Sequence, residues 1–486
     1  MDFNEIIESI GEPYYHDDSA VIYCVDCRDI LKKIPKESVD LLLTDPPYGI
    51  GFMGKDWDKA LPDKEIWQEC LRVLKDGAFA FVMSIPRADC LSRMIISLED
   101  AGFKVNFTPI FWAYASGFPK AQNIGKAVDK RLGVEREKIL KPIAYRDSNC
   151  WGIPNKSSRG NQWGIVQADD KGKGKRQGIQ GMVEDSLPSS SQAKALDGSY
   201  GGFQPKPALE VIIVAMKPLS EKIYVDQALK NRKGITWLDS VRIPFVNQKD
   251  IELATPASPS NSGGILNWHQ GQFHRDNQGR FPANLLVSDD VLNVESRGAF
   301  APVKSGQKPW GGEIYGKFAS GGDNGKSFYG DSGSFSRYFS LDSWWTERIK
   351  QLPASVQKTF PFLIVPKASK SEKNKGCEDL PIGIKQSMGD YGEQSQFKCP
   401  DGVHRVGNKG ESKAKNCHPT TKPLKLMSYL ITLGSREGDI ILDPFVGSGT
   451  TALACQLLSR KTISIEISEE YCEIARKRLS QAVMLL

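Results

Sequence analysis

The chain holds 486 residues, of which 40% are hydrophobic and 25% charged, the balance of a soluble globular protein with room for two or three domains. No apolar run approaches the roughly 20 residues that cross a bilayer, so no membrane partner is expected. A net charge of +6, from 64 Lys and Arg against 58 Asp and Glu, permits a polyanion partner without demanding one.

The opening residues Met1-Asp2-Phe3-Asn4-Glu5 lack the regions of a secretory signal, so a cytoplasmic protein is expected. Ten cysteines are scattered, several in apolar patterns (Cys24, Cys70, Cys455, Cys472), as reduced, packed thiols would be. Cys24 and Cys27 have metal-ligand spacing, but no second pair matches it, and no metal site is expected.

In chain order, residues 21–26 form an apolar run ending in Asp26, residues 27–34 a short helix with Ile30, Leu31 and Ile34 on one face, and residues 39–43 a buried strand. Strand, helix, strand is the βαβ unit of a parallel sheet. The third element runs into Asp45-Pro46-Pro47-Tyr48. A residue before proline is held extended, and proline lacks an N–H, so the strand ends on a stiff ledge with free carbonyls. Asp45 and the Pro46 carbonyl can each accept one hydrogen of an exocyclic amine while Tyr48 stacks on its ring, a contact worth about 1–3 kcal/mol. An ordinary strand-to-loop exit would carry the same residues.

A glycine-rich loop follows at 51–57. The spacing then predicts a helix over 66–74 capped by Gly77, a strand over 78–83, a helix over 90–98 and a strand over 105–113. From about residue 116 the chain turns rich in Gly, Ser, Asn and Lys, with a basic run at 171–176. A strand returns at 209–215. Between 250 and 340, aromatics (Trp268, Phe273, Trp310, Tyr315, Phe318, Phe328, Tyr329, Phe335, Tyr338) interleave with basic residues (Arg275, Arg280, Lys304, Lys308, Lys317, Lys326, Arg337). That mixture suits nucleic acid, though aromatics can equally form the small core of a loop-rich domain. Residues 360–365 are a further strand candidate, and 367–416 are polar.

The last stretch is again α/β: a helix over 425–433, a strand over 439–443, a tight turn Pro444-Phe445-Val446-Gly447-Ser448-Gly449-Thr450-Thr451, a helix over 451–458, a strand over 461–465 ending at Glu466, and a helix over 469–479. Gly447 and Gly449 allow a sharp turn and close approach to a ligand. Glu466 stands near the roughly 20-residue offset at which an acid grips ribose hydroxyls. With two glycines and no phosphate-loop lysine, the turn fits adenosine without phosphate, such as S-adenosyl-L-methionine, better than ATP or NAD.

Asp45-Pro46-Pro47-Tyr48 followed far downstream by 443–451 resembles the DNA amino-methyltransferases of the N-4/N-6 DNA methylase family. Catalytic motif first and cofactor motif last resembles its circularly permuted beta group, and His418-Pro419-Thr420-Thr421-Lys422-Pro423 is similar to that group's remaining cofactor motif. The segments 116–120, 279–284 and 366–370 resemble a phage- and prophage-associated subset. The resemblance implies a Rossmann-like α/β fold, a seven-stranded, mostly parallel sheet with helices on both faces. It implies a catalytic half at 1–115, a target-recognition region at 116–416 that includes the strand near 209–215, and a cofactor half at 417–486. Asp45, Pro46, Pro47 and Tyr48 would hold a flipped base. Asp443, Phe445, Gly447, Gly449 and Thr450 would hold S-adenosyl-L-methionine, with Glu466 on its ribose, Asp26 near its adenine, and Thr421 and Lys422 at its methionine end. Val446 and the pair Ile467-Ser468 depart from the usual pattern and leave only the local pocket shape in doubt.

The implied activity is methylation of the adenine N6 amine in double-stranded DNA. Cytosine N4 is the alternative, because cytosine shows the ledge a similar amino edge; in the family, Asp at the first motif position leans toward adenine. A catalytically silent DNA-binding protein is the third reading. A cognate restriction endonuclease is a candidate partner, and the sequence leaves oligomeric state and recognition site open.

Overall fold

The computed structural model describes residues 2–51, 58–114, 121–142, 182–203, 208–245, 279–287, 295–296, 333–334, 339–351, 374–377, 383–385, 412–414 and 420–483. Loop residues 52–57, the segments 116–120 and 366–370, the basic run at 171–176, the strand candidate at 360–365, residues 418–419, and the interleaved aromatic and basic residues other than Arg280 lie outside them. The chain divides into two units, one of residues 1–117, 208–389 and 396–486, the other of 118–207 and 390–395. The region 116–416 is therefore not one body, since its later part folds with the two terminal halves.

In the first unit, helix α1 (Phe3–Ile10) starts at a reciprocal cap between Asp2 and Glu5. Then come β1 (Tyr15–His16), β2 (Ala20–Cys24), α2 (Cys27–Leu31), β3 (Val39–Thr44), α3 (Lys64–Val73), β4 (Leu74–Ser84), α4 (Ala88–Asp100) and β5 (Ile110–Ala113). The second unit contributes α5 (Ile124–Leu132), the antiparallel pair β6 (Glu137–Pro142) and β7 (Met182–Leu187), and α6 (Ser191–Ala195). There, buried Asp129 accepts from Ser189 N at 3.1 Å, Ser190 N at 3.0 Å and Arg136 Nη1 at 2.6 Å.

The first unit resumes with β8 (Leu209–Met216), α7 (Tyr224–Asn231), β9 (Leu285–Val287), the short pair β10 (Glu295–Ser296) and β11 (Gly333–Ser334), and α8 (Leu341–Ile349). A second short pair, β12 (Gly383–Lys385) and β13 (Ser412–Ala414), precedes α9 (Leu424–Gly434), β14 (Ile440–Asp443), α10 (Thr450–Leu457), β15 (Lys461–Glu466) and α11 (Glu469–Val483).

One mixed sheet runs β1-β2-β15-β14-β3-β4-β8-β5-β9. Strands β2, β15, β14, β3 and β4 are mutually parallel, and β8 lies antiparallel between β4 and β5. Seven strands are expected, and the described residues form nine in this sheet. The additional two are the edge strands β1 and β9, of two and three residues, too short to register as sequence periodicity. Alternation along each strand feeds two cores. Ile22, Leu41, Leu43 and Ile441 pack toward α8, α9, α10 and α11, and Val21, Leu42, Ile440 and Leu442 pack toward α1, α2, α3 and α4. Helices thus cover both faces.

Two local expectations are corrected. Gly77 does not cap α3, because Leu74 is already extended and opens β4. Gly77 lies inside that strand at φ 78°, where an added Cβ would sit 2.9 Å from Gly234 N. The strand expected over 105–113 is regular only from Ile110, just after Pro109, which has no N–H for a ladder; upstream, Lys104 makes only a single bridge to Met216.

Candidate active site

Parallel strands β3 and β14 pair in register, Leu41 with Ile441 and Leu42 with Leu442. The two acids that follow, Asp443 and Asp45, are thereby brought to one crevice at the carboxyl edge of the sheet, where open α/β folds bind ligands. Thr44 Oγ1 donates to Asp443 Oδ1 at 2.7 Å, and Phe445 N to the same oxygen at 3.1 Å. Burial pushes the Asp443 carboxyl up to about 6, against the donors Thr451, Thr44 and Phe445 N that favour the charged form.

The glycine turn wraps the second acid. Gly447, at φ 54°, donates its N–H to Glu466 Oε2 at 2.9 Å, and Ser468 N donates to Oε1 at 2.9 Å. Burial still holds the Glu466 carboxyl above its ordinary value. Gly449 serves packing instead: it sits at φ 78°, and an added Cβ would lie 2.8 Å from Ala475 Cβ on α11. Ser448 Oγ donates to Thr421 Oγ1 at 3.3 Å and ties the turn to the segment before α9.

On the ledge, Tyr48 N and Gly49 N both donate to Asp58 Oδ1, at 2.7 and 3.1 Å, and fix the exit from the proline pair. The Tyr48 hydroxyl donates to Asp45 Oδ1. Lys422 Nζ donates to Asp45 Oδ2 and lies 3.3 Å from the Tyr48 hydroxyl and 3.5 Å from Glu210 Oε2. Burial, then the charges of Asp45 and Glu210, hold the Tyr48 phenol well above its ordinary value. Burial disfavours the Lys422 ammonium, yet Asp45 and Glu210 overcome it and raise its pKa.

A cavity of about 350 Å³ joins these parts, within the roughly 300–1,000 Å³ of small-molecule sites. Of the residues singled out in the sequence, Asp26, Asp45, Pro47, Thr421, Lys422, Asp443, Phe445, Gly447, Thr450 and Glu466 line it, whereas Pro46, Tyr48 and Gly449 do not. Asp26 caps α2, and Arg28 Nη2 donates to it at 2.6 Å; that bond holds its carboxyl below the ordinary range. Lys422, expected at the methionine end of a cofactor, is hydrogen-bonded to the ledge. Sequence reasoning missed Thr44, Asp58 and Glu210. Thr44 had one signal, a hydroxyl directly before the acid in an otherwise apolar strand, and the other two act across contacts that no local pattern reveals.

Residues 331–477 match the family model described as DNA methylase. The type II methyltransferase M.HpaI of Haemophilus parainfluenzae is 50% identical over 68 residues, 14% of this chain and 22% of that protein. The type II methyltransferase M2.DpnII of Streptococcus pneumoniae is 53% identical over 62 residues, 13% and 23% respectively. The chain thus matches less than a quarter of the length of each of these relatives. Among solved structures, the cytosine-N4-specific PvuII DNA methyltransferase aligns over 96% of this chain and 88% of its own, at 15% identity and a TM-score of 0.38. The chain is therefore similar in sequence to the DNA methylases of the N6/N4 family over the segment that carries Lys422, the glycine turn and Glu466.

Proposed function

We propose that the protein is a DNA methyltransferase that transfers a methyl group from S-adenosyl-L-methionine to the N6 amine of adenine in double-stranded DNA. The observation that carries this reading is the meeting of Asp45 and Asp443, distant in sequence, on one cavity at the ends of neighbouring parallel strands.

The residues present suit the cofactor. Asp443 is a buried carboxylate whose charged form is under-stabilised, so a cationic group placed against it gains more than at an exposed acid. Glu466, held by Gly447 N and Ser468 N at the end of β15, suits ribose hydroxyls. Phe445, Gly447, Thr450, Thr421 and Asp26 supply the remaining walls. When bound, S-adenosyl-L-methionine supplies an electrophilic methyl group.

The chain's own residues supply the rest. The amine lone pair of adenine is delocalised into the ring and attacks poorly. Asp45 and the Pro46 carbonyl accept its two hydrogens and favour a pyramidal nitrogen, an interaction that strengthens toward the transition state. The amine nitrogen would form its bond to the methyl carbon as the donor's carbon–sulfur bond breaks, leaving S-adenosyl-L-homocysteine, and one amine proton would depart by way of Asp45. Reaching the ledge requires the base to leave the duplex, at a cost of a few kcal/mol, partly recovered by the ring of Tyr48. The family resemblance supports a permuted arrangement, with residues 1–115 and 417–486 as the catalytic and cofactor halves and DNA recognition assigned to parts of 116–416.

The test is to incubate the protein with unmethylated DNA and S-adenosyl-L-methionine, digest to nucleosides and identify the product by mass. N6-methyladenine is expected. N4-methylcytosine would overturn the base assignment, and no methylated base would overturn the activity.

A further inference from the structure

Both oxygens of Asp45 are engaged, Oδ1 by the Tyr48 hydroxyl and Oδ2 by Lys422 Nζ. A target amine, on the reading proposed above, competes with these two donors for the lone pairs of the carboxylate. The group that yields Oδ2 is a buried ammonium, its side chain 9% exposed, and an unpaired buried charge is strongly unfavourable. A second acceptor already stands beside it. Glu210 projects from β8, the antiparallel strand opposite Trp112 of β5. Its Oε2 is buried and already ion-paired with Lys422 Nζ at 3.5 Å, longer than the bond that Nζ makes to Asp45. The Tyr114 hydroxyl bonds to the same carboxylate and steadies it.

We propose that Glu210 is a positioning residue that receives the Lys422 ammonium when the target amine displaces it from Asp45. Lys422 thus occupies the amine's place between turnovers, and Glu210 makes its departure inexpensive. The inference rests on the methyltransferase reading, but Glu210 belongs to none of the motifs that support it.

The groups facing Lys422 are Asp45 and Tyr48 from the ledge and Glu210 from β8, with Tyr114, just after β5, bonded to Glu210 and Asp443 further along the cavity. In Glu210→Gln the displaced ammonium has no anionic acceptor, so kcat should fall at least about ten-fold at pH 7, as for other broken buried ion pairs. Cofactor affinity should hold. Glu210→Gln removes one of the two charges that raise the Lys422 pKa, so raising the pH toward that of an ordinary lysine allows Lys422 to leave as the neutral amine, and the deficit should narrow between about pH 8 and 10, by up to about ten-fold per pH unit. In a Lys422→Met background, Glu210→Gln should add little. A deficit that is flat with pH, or one that simply multiplies that of Lys422→Met, would assign Glu210 a packing role and overturn the proposal. If Glu210→Gln does not fold, Glu210→Asp, which keeps the charge at shorter reach, should show a smaller deficit with the same pH trend, and a flat profile there is equally fatal. Absence of methylation by the unaltered protein would refute the activity itself, a separate outcome.

Discussion

Asp443→Asn isolates the electrostatic tension at the centre of the site. The carboxyl is pushed from 3.8 to about 6 by burial, and at about 1.4 kcal/mol per pH unit this opposes folding by about 3 kcal/mol once the group is ionised. The sign follows from the direction of the shift: a carboxyl that holds its proton more tightly when folded favours folding below its unfolded pKa. That advantage is lost as pH rises from about 4 through about 6. Asparagine keeps an acceptor for Thr44 Oγ1 and Phe445 N and cannot ionise. The variant should therefore gain stability over the wild type by up to about 3 kcal/mol at pH 7 to 8 and little at pH 4, while binding S-adenosyl-L-methionine far more weakly. Urea unfolding without added cofactor at both pH values gives the comparison. Parallel pH profiles for the two proteins would refute the reasoning.

Thr44→Val removes a donor that favours the charged Asp443, so the carboxyl should rise further and cofactor affinity at pH 7 should fall by about ten-fold, a hydrogen bond to a charged group being worth about 1.5–3 kcal/mol. The gap should close by pH 9, and calorimetric titration at both pH values checks it. Gly449→Ala places a Cβ 2.8 Å from Ala475 at a left-handed backbone position and should destabilise the protein by about 1–3 kcal/mol. An unchanged urea midpoint would show that the turn and α11 can move apart.

Much of this arrangement was legible because apolar strands ending in acids leave a local imprint. The runs at 39–43 and 439–443, each leading into an Asp-Pro pair, became neighbours in register, and the turn at 447 closed on Glu466 at its expected offset. Lys422 was not legible in the same way. Its neighbourhood in sequence points to the cofactor segment, while its ammonium reaches Asp45, 377 positions away, a contact that exists only once β3 and the segment before α9 share the cavity. Gly449 shows the converse: a motif glycine is visible in sequence, but its need arises from Ala475 on a helix still to come. Glu210 is an acid at the start of an apolar strand and looks like a solvated strand end until β5 and β4 flank it.

The central claim is that the ledge and the glycine turn serve one reaction with separable roles. Asp45→Ala tests it most directly, with S-adenosyl-L-methionine binding measured by calorimetry beside methyl transfer to DNA. Because Glu210 remains within reach of Lys422, the variant should fold and bind cofactor and DNA like the wild type, yet lose methyl transfer. Near wild-type turnover by Asp45→Ala would contradict the account.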